Sequence, residues 1–312
     1  MSTTPTVATT DTHEAAGGTG ALSGRGSSSG GGHDRRRSWL PQVALFVICL
    51  AWTVPTLGLL VTSFRNEDAV DSSGWWSVLA SPLEFGQWTL ENYGEVLGGA
   101  GMGNAFVNSL VVAVPATLIP IMIAAFAAYS FTFMQFKGRE FFFAIIVGLL
   151  VIPLQVALVP LLQFYREVNL TGTFLAVWLA HAGFGMPLAV YILRNYMSGL
   201  PVSLIESAKI DGASHYQTFW RLVMPMSVPA LAAFAIFQFL WVWNDLLIAL
   251  VFLGGGENEV VTVNLSGLVG EFAADWHLLT AGAFITMTVP LLVFFSLQRF
   301  FVRGLTAGSV KG

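Results

Sequence analysis

The sequence predicts an all-α fold, a polytopic membrane bundle of six transmembrane helices. Three observations carry this. The 312 residues are 55% hydrophobic and only 10% charged, where a soluble domain carries about 25% charge. Mean hydropathy is +0.70. The apolar residues gather into six runs of at least about 20 residues, enough to cross a hydrocarbon core of about 30 Å at 1.5 Å per residue. In lipid, runs of this kind must be helical, because only a helix satisfies its own backbone polar groups there.

The elements follow in chain order. Residues 1–38 are rich in Gly, Ser and Thr and end in Arg35-Arg36-Arg37. Such a segment buries too little apolar surface to offset its ordering entropy, so a disordered tail is expected. A basic cluster before an apolar run also opens a signal peptide. Against that stand the length of the tail and Ser63-Phe64-Arg65-Asn66, a poor small-residue cleavage site. The transmembrane domain is placed at 39–312, with a core at about 105–305. Its spans are expected at 40–63, 105–133, 141–163, 173–193, 227–253 and 278–301. With the N-terminus inside, twelve of the fourteen Lys and Arg fall on cytoplasmic segments, and only Arg65 and Arg166 fall outside. The positive-inside rule therefore puts both termini in the cytoplasm.

Every span contains proline, from Pro55 in the first to Pro290 in the last. Neighbouring helices or a cavity must accommodate the backbone groups that proline frees. Ala124 and Ala128 offer small residues at close-packing spacing. No internal repeat is visible, which weakens a transporter built from two inverted halves. The one cysteine, Cys49, permits no internal disulfide. The basic residues form no nucleic-acid patch. His181 lies in a span without a spaced ligand partner and reads as structural. Two Asn-Leu-Thr/Ser triplets, at Asn169 and Asn264, match a glycosylation pattern but are discounted in a bacterial-type chain.

The polar island between the fourth and fifth spans holds the most patterned stretch, Glu206-Ser207-Ala208-Lys209-Ile210-Asp211-Gly212, followed by Leu222-Val223-Met224-Pro225. Ser203 to Glu206, with Pro201 just ahead, fits a capping box, and Ser214 to Gln217 fits a second. Gly212 suits a left-handed helix stop between them. The expectation is helix, tight glycine turn, helix, with termination near Pro225. A two-turn helix is not stable alone and needs a partner surface. Leu204, Ile205 and Ala208 are expected to share one face. The offsetting charges of Lys209 and Arg221 against Glu206 and Asp211 speak against a helix that merely lies on the membrane.

Asp245 is the one acidic residue placed inside a span. A charge at a helix centre costs about 2.5–3.5 kcal/mol on insertion scales, so it must face an interior or a water-filled cavity. With Trp241, Trp243 and Asn244 beside it, two readings stand: a polar and aromatic stretch of a translocation path, or a structural contact near the outer end of the helix. The external loop 254–277 carries Glu257, Glu259, Glu271 and Asp275, and residues 64–104 are rich in Trp and Gly.

These residues carry a resemblance. The loop above is similar to the "EAA" loop of inner-membrane permease subunits of bacterial carbohydrate ABC importers, of the maltose and alpha-glucoside class. Further matches run in order along residues 92–312: Ala127-Ala128-Tyr129 with Phe136-Lys137-Gly138-Arg139, Ile152-Pro153-Leu154-Gln155, Phe184-Gly185-Met186-Pro187, Trp243-Asn244-Asp245, and the tail from Arg303 to Gly312. Ser207 stands where the family has its second alanine, and Leu222 and Met224 are mild departures. The resemblance implies a pore subunit that pairs with a second permease, docks two ATP-binding subunits on such loops and receives sugar from an extracytoplasmic binding protein. Glu206, Ser207, Ala208, Asp211, Gly212 and Pro225 would form the coupling element, and the tail 305–312 would reach the ATPase interface. The chain has no phosphate-cradling GxxxxGK[ST] loop. No cofactor is therefore expected in this chain, and ATP and Mg fall to the partner ATPase. The location implied is the bacterial inner membrane, in contact with lipid. The competing classes are a secondary transporter or channel without ATP, for which one Asp245 is thin support, and a membrane enzyme, for which no nucleophile–base pair or metal spacing is present.

Overall fold

The computed structural model describes residues 39–271 and 275–307. The expected disordered tail 1–38 and the terminal residues 308–312 lie outside them. Contacts divide the chain into two units, Met1–Leu50 and Ala51–Gly312. The described part of the first is the opening half of helix α1 (Trp39–Ser63), an apolar segment exposed at every position. The second holds everything else.

Within that second unit, the span helices are α4 (Met102–Phe133), α7 (Phe174–Ser198), α10 (Met224–Trp243) and α13 (Trp276–Ala307). Five described helices, α1 included, are long and apolar enough to cross a membrane, and a sixth crossing exists if one bent pair is a single span. That pair stands where a single third span was expected at 141–163. Residues Arg139–Val151 (helix α5, Arg139–Gly148, and a 3-10 turn) and helix α6 (Leu154–Glu167) meet at 101°. The cause is local. Pro153 has no N–H, and the residue before a proline is driven out of the helical region; Ile152 sits at ψ 116°.

The fifth span also differs. It starts earlier and stops earlier than expected, as one apolar run His215–Trp243. The chain breaks at Asn244, and a separate short helix α11 (Leu247–Phe252) follows. The apolar run 246–253 hides this break from a hydropathy reading. A further helix α12 (Val261–Glu271) precedes α13.

The core runs along α4, which packs most closely on α7 and then on α10. Ala124 and Ala128 are fully buried there, as their small-residue spacing predicts, and Ala125 is buried with them. Buried side chains form two clusters. One, at the end that carries residues 199–214, joins Tyr129, Leu193, Met197, Ile205, Phe219 and Val223. The other, at the opposite end, joins Met102, Ala105, Tyr165, Phe252 and Val261.

Residues 64–101 fold as short helices α2 (Glu67–Ser72) and α3 (Glu91–Gly98) with two 3-10 turns. Arg65 organises them. It is 2% exposed, and its guanidinium donates to Ala69 O at 2.6 Å, Ser73 O at 2.9 Å and Ser73 Oγ at 2.6 Å. Burial pulls its pKa down from the ordinary value. Carbonyl and hydroxyl oxygens here do the work of a counter-ion.

Candidate functional site: a buttressed loop helix and a membrane groove

The loop helix is built by chain chemistry on both sides. Helix α7 ends at Ser198, and Pro201, with φ −61°, opens helix α8 (Val202–Ile210). The expected box at Ser203 is not formed: Pro201 takes the cap position with no side-chain bond, and Ser203 falls inside the helix. At the other end the stop is complete. Gly212 has φ +78°, its N–H donates to Lys209 O at 3.1 Å, and Ala213 N–H reaches back to Ala208 O at 2.9 Å. These two bonds are the paired bonds of a left-handed glycine stop. Ser214 then caps helix α9 (His215–Thr218) with the expected reciprocal box: its Oγ accepts from Gln217 N–H, and Gln217 Oε1 accepts from Ser214 N–H at 2.9 Å.

The helix does not end near Pro225. Residues Phe219–Val223 form a π turn that runs into α10, with Pro225 in its first turn. Proline's ring crowds the carbonyl four residues earlier, and a wider turn relieves that. Pro225 is therefore part of the fifth span, set apart from Glu206, Ser207, Ala208, Asp211 and Gly212, which the structure gathers on α8 and its stop.

Only Ile205 of α8 is buried, at 3% exposure, inside the cluster of Tyr129, Leu193, Met197 and Phe219. Ala208 is half-buried, and Leu204 faces out, so the expected shared apolar face does not form. Val202, Leu204 and Ile210 are exposed at 57%, 45% and 86%. Glu206, Ser207 and Asp211 are exposed beside them. A nine-residue helix cannot hold itself together in water. Here it is clamped at both ends, pinned by one side chain, and presents a mixed apolar and acidic surface outward.

At the opposite end, Trp243 is buried. Its Nε1 donates to Thr286 O of α13 at 3.0 Å, and it stacks on Phe239 with ring centroids 5.8 Å apart. Asn244 is exposed, and its side-chain amide donates to Leu240 O at 2.7 Å. Asp245 lies in the break between α10 and α11, not inside a span as expected. Its Oδ1 accepts from Ile248 N–H at 2.6 Å and its carbonyl from Thr262 Oγ1 at 2.8 Å. Burial pushes its carboxyl up, and the N–H groups of Ile248 and Ala249 pull it down, leaving it raised. Asp245 thus makes one bond within its own turn and one to helix α12.

The sequence reading missed a groove between α7 and α10. Phe184, Gly185, Leu188, Phe237, Gln238 and Trp241 line it, and it holds about 490 Å³. Its polar member is Gln238, 3% exposed, whose Nε2 donates to Ala116 O at 3.2 Å and His181 O at 3.4 Å. Gly185 lets the two helices approach: a Cβ there would stand 2.5 Å from Gln238 Oε1. The available signal was Gln238 itself, a polar side chain in an apolar run. His181 is 1% exposed and packs edge-on against Trp241, in line with a structural role.

Residues 117–307 match the family described as "Binding-protein-dependent transport system inner membrane component", and the chain belongs to that family. It is 57% identical to the osmoprotective compounds uptake permease protein GgtD of Synechocystis sp., over 86% of this chain and 91% of that protein. It is 42% identical to the alpha-glucoside transport system permease protein AglG of Rhizobium meliloti, over 88% and 97%. The trehalose/maltose transport system permease protein MalG of Thermococcus litoralis is 33% identical, over 86% and 94%. The fold matches a chain of a bacterial ABC transporter that imports the acidic polysaccharide alginate, with TM-score 0.67 and 21% identity over 85% of this chain and 96% of that one.

Proposed function

We infer that this chain is one of two pore subunits of an ATP-driven sugar importer of the bacterial inner membrane, and that α8 is the element an ATPase subunit grips from the cytoplasm. The carrying observation is the outward surface of α8. Val202, Leu204 and Ile210 are exposed on a helix fixed at both ends, outside the apolar spans. The positive-inside count supports a cytoplasmic loop and cytoplasmic termini. The family description supports delivery by a binding protein, and relatives named for alpha-glucosides and for trehalose and maltose support a sugar cargo.

In this mechanism a separate subunit binds Mg and ATP and hydrolyses it. Its closure moves α8 as a lever, and the stiff connection through α9 and the π turn swings α10. The groove between α7 and α10 then opens to one face or the other. A second permease completes the path. Phe184, Phe237 and Trp241 offer aromatic faces to sugar rings, Gln238 holds the groove wall through its bonds to Ala116 O and His181 O, and Trp243, Asn244 and Asp245 sit at the rim of the path and hold the α10–α11 break in shape.

The test is co-expression with the ATPase subunit and the partner permease, followed by uptake of labelled maltose and trehalose in proteoliposomes with the binding protein. Gly212→Val places a branched residue where the left-handed conformation costs about 1–2 kcal/mol. Retained ATPase is expected to fall roughly tenfold, on the scale of 1.4 kcal/mol per factor of ten, with membrane insertion unchanged. Wild-type vesicles that take up the sugars at full rate without ATPase would refute the reading.

A further inference from the structure

The loop helix is attached to the bundle by apolar packing at Ile205, and such packing alone does not fix the rotation of a lever. One polar contact does. Tyr129, from the Ala127-Ala128-Tyr129 stretch of α4, is 4% exposed, and its hydroxyl lies 2.9 Å from Nδ1 of His215. His215 is the first residue of α9, and the Ser214–Gln217 box fixes its backbone. Among the described residues this is the one side-chain hydrogen bond that joins residues 202–218 to a helix outside the continuous run His215–Trp243. Aromatic contacts surround it. Tyr129 packs edge-on against Phe219, and Phe126, one turn earlier, stacks on Phe219 with centroids 4.5 Å apart.

Helix α4 carries the contact far. Its 32 residues span about 48 Å at 1.5 Å per residue. Near its other end, Asn108 Nδ2 donates to Glu257 O at 2.8 Å and Glu259 O at 3.0 Å, and Ser109 Oγ accepts from Val261 N–H at 2.8 Å. One continuous helix, with Pro115 and Pro120 between the two contacts, is thus hydrogen-bonded to the coupling loop at one end and to the loop 254–261 at the other.

We propose that Tyr129 and His215 are positioning residues for energy coupling: their hydrogen bond sets the orientation of α8 and passes its movement to α4, and through α4 to the outer loop. This rests on the reading that α8 docks on an ATPase. Contiguity alone does not demonstrate coupling, so the test is a double-mutant cycle in the reconstituted importer. Tyr129→Phe removes the hydroxyl and keeps the ring against Phe133 and Phe219. His215→Leu removes the nitrogen, and His215→Asn keeps a polar atom near the Nδ1 position.

The readout is labelled sugar moved per ATP hydrolysed, measured on complexes matched for ATPase content. Tyr129→Phe and His215→Leu are each expected to lower that ratio by about two- to tenfold, the scale of one neutral hydrogen bond. The double variant should fall no further than the worse single one, and His215→Asn should stay near wild type. An unchanged ratio in Tyr129→Phe, or losses that multiply in the double variant, would overturn the proposal. A wild-type complex that retains no ATPase would overturn it too, and would show that docking itself, not the linkage, was misread.

Discussion

Gly185→Ala should destabilise the bundle and cut sugar uptake, although it adds a single methyl group. The new Cβ would stand 2.5 Å from Gln238 Oε1 and 2.7 Å from its Nε2, distances that atoms in contact do not adopt. Gln238 cannot simply rotate away, because its amide is committed to Ala116 O and His181 O. Relief must come either from breaking those bonds within the bilayer or from separating α7 and α10. Overpacking of this kind costs about 1–3 kcal/mol. It also changes the wall of the 490 Å³ groove. The matched control is Gly183→Ala, two residues earlier, where an added Cβ meets nothing within 4 Å. Thermal unfolding of the detergent-solubilised complex, read beside uptake, is expected to show both losses for Gly185→Ala and neither for Gly183→Ala.

Ile205→Asp should release the loop helix while leaving the bundle inserted. Ile205 is the buried anchor of α8. A carboxylate in the apolar cluster of Tyr129, Leu193, Met197 and Phe219 faces a desolvation cost of several kcal/mol with no charged partner to offset it. The economical response is for α8 to leave the cluster, because the helix lies outside the spans and has little stability of its own. Retained ATPase should then drop below detection in a co-purification that recovers wild-type amounts of the membrane subunit. Ile205→Val removes one methylene group and should cost about 0.5–1.5 kcal/mol, with most of the ATPase retained. Wild-type retention in Ile205→Asp would show that α8 does not depend on this anchor.

Much of the fold was legible because bilayer thickness imposes a length on apolar runs, and that length survives in the sequence. What escaped was backbone direction. Hydropathy passes through Ile152-Pro153 without a change of sign, yet the chain turns by 101° there; the dipeptide was the signal, and only its effect on ψ reveals it. In the same way the apolar residues 246–253 concealed the end of the fifth span at Asn244. The second capping box was legible because Ser214 and Gln217 satisfy each other locally. The first was not, because Pro201 competes for the same cap position with a conformation already fixed.

The candidate site divides along the same line. Gly212 was legible, since a left-handed stop is a property of one residue. Ile205 and Ile210 are identical in sequence character, yet one is 3% and the other 86% exposed, and only the docking of α8 on Phe219 and Leu193 distinguishes them. The groove was illegible because its walls come from separate helices brought together by Gly185. The π turn ahead of Pro225 has only that proline as its local signal.

Import driven by a motor subunit requires α8 to face the cytoplasm and to be covered there by that subunit. Ile210→Cys, in a chain whose Cys49 is replaced by serine, tests this with a membrane-impermeant maleimide. Labelling is expected in inside-out vesicles and not in intact cells, and it should be suppressed when the ATPase subunit is bound. Labelling of residue 210 in intact cells, or labelling indifferent to the ATPase, would contradict the account.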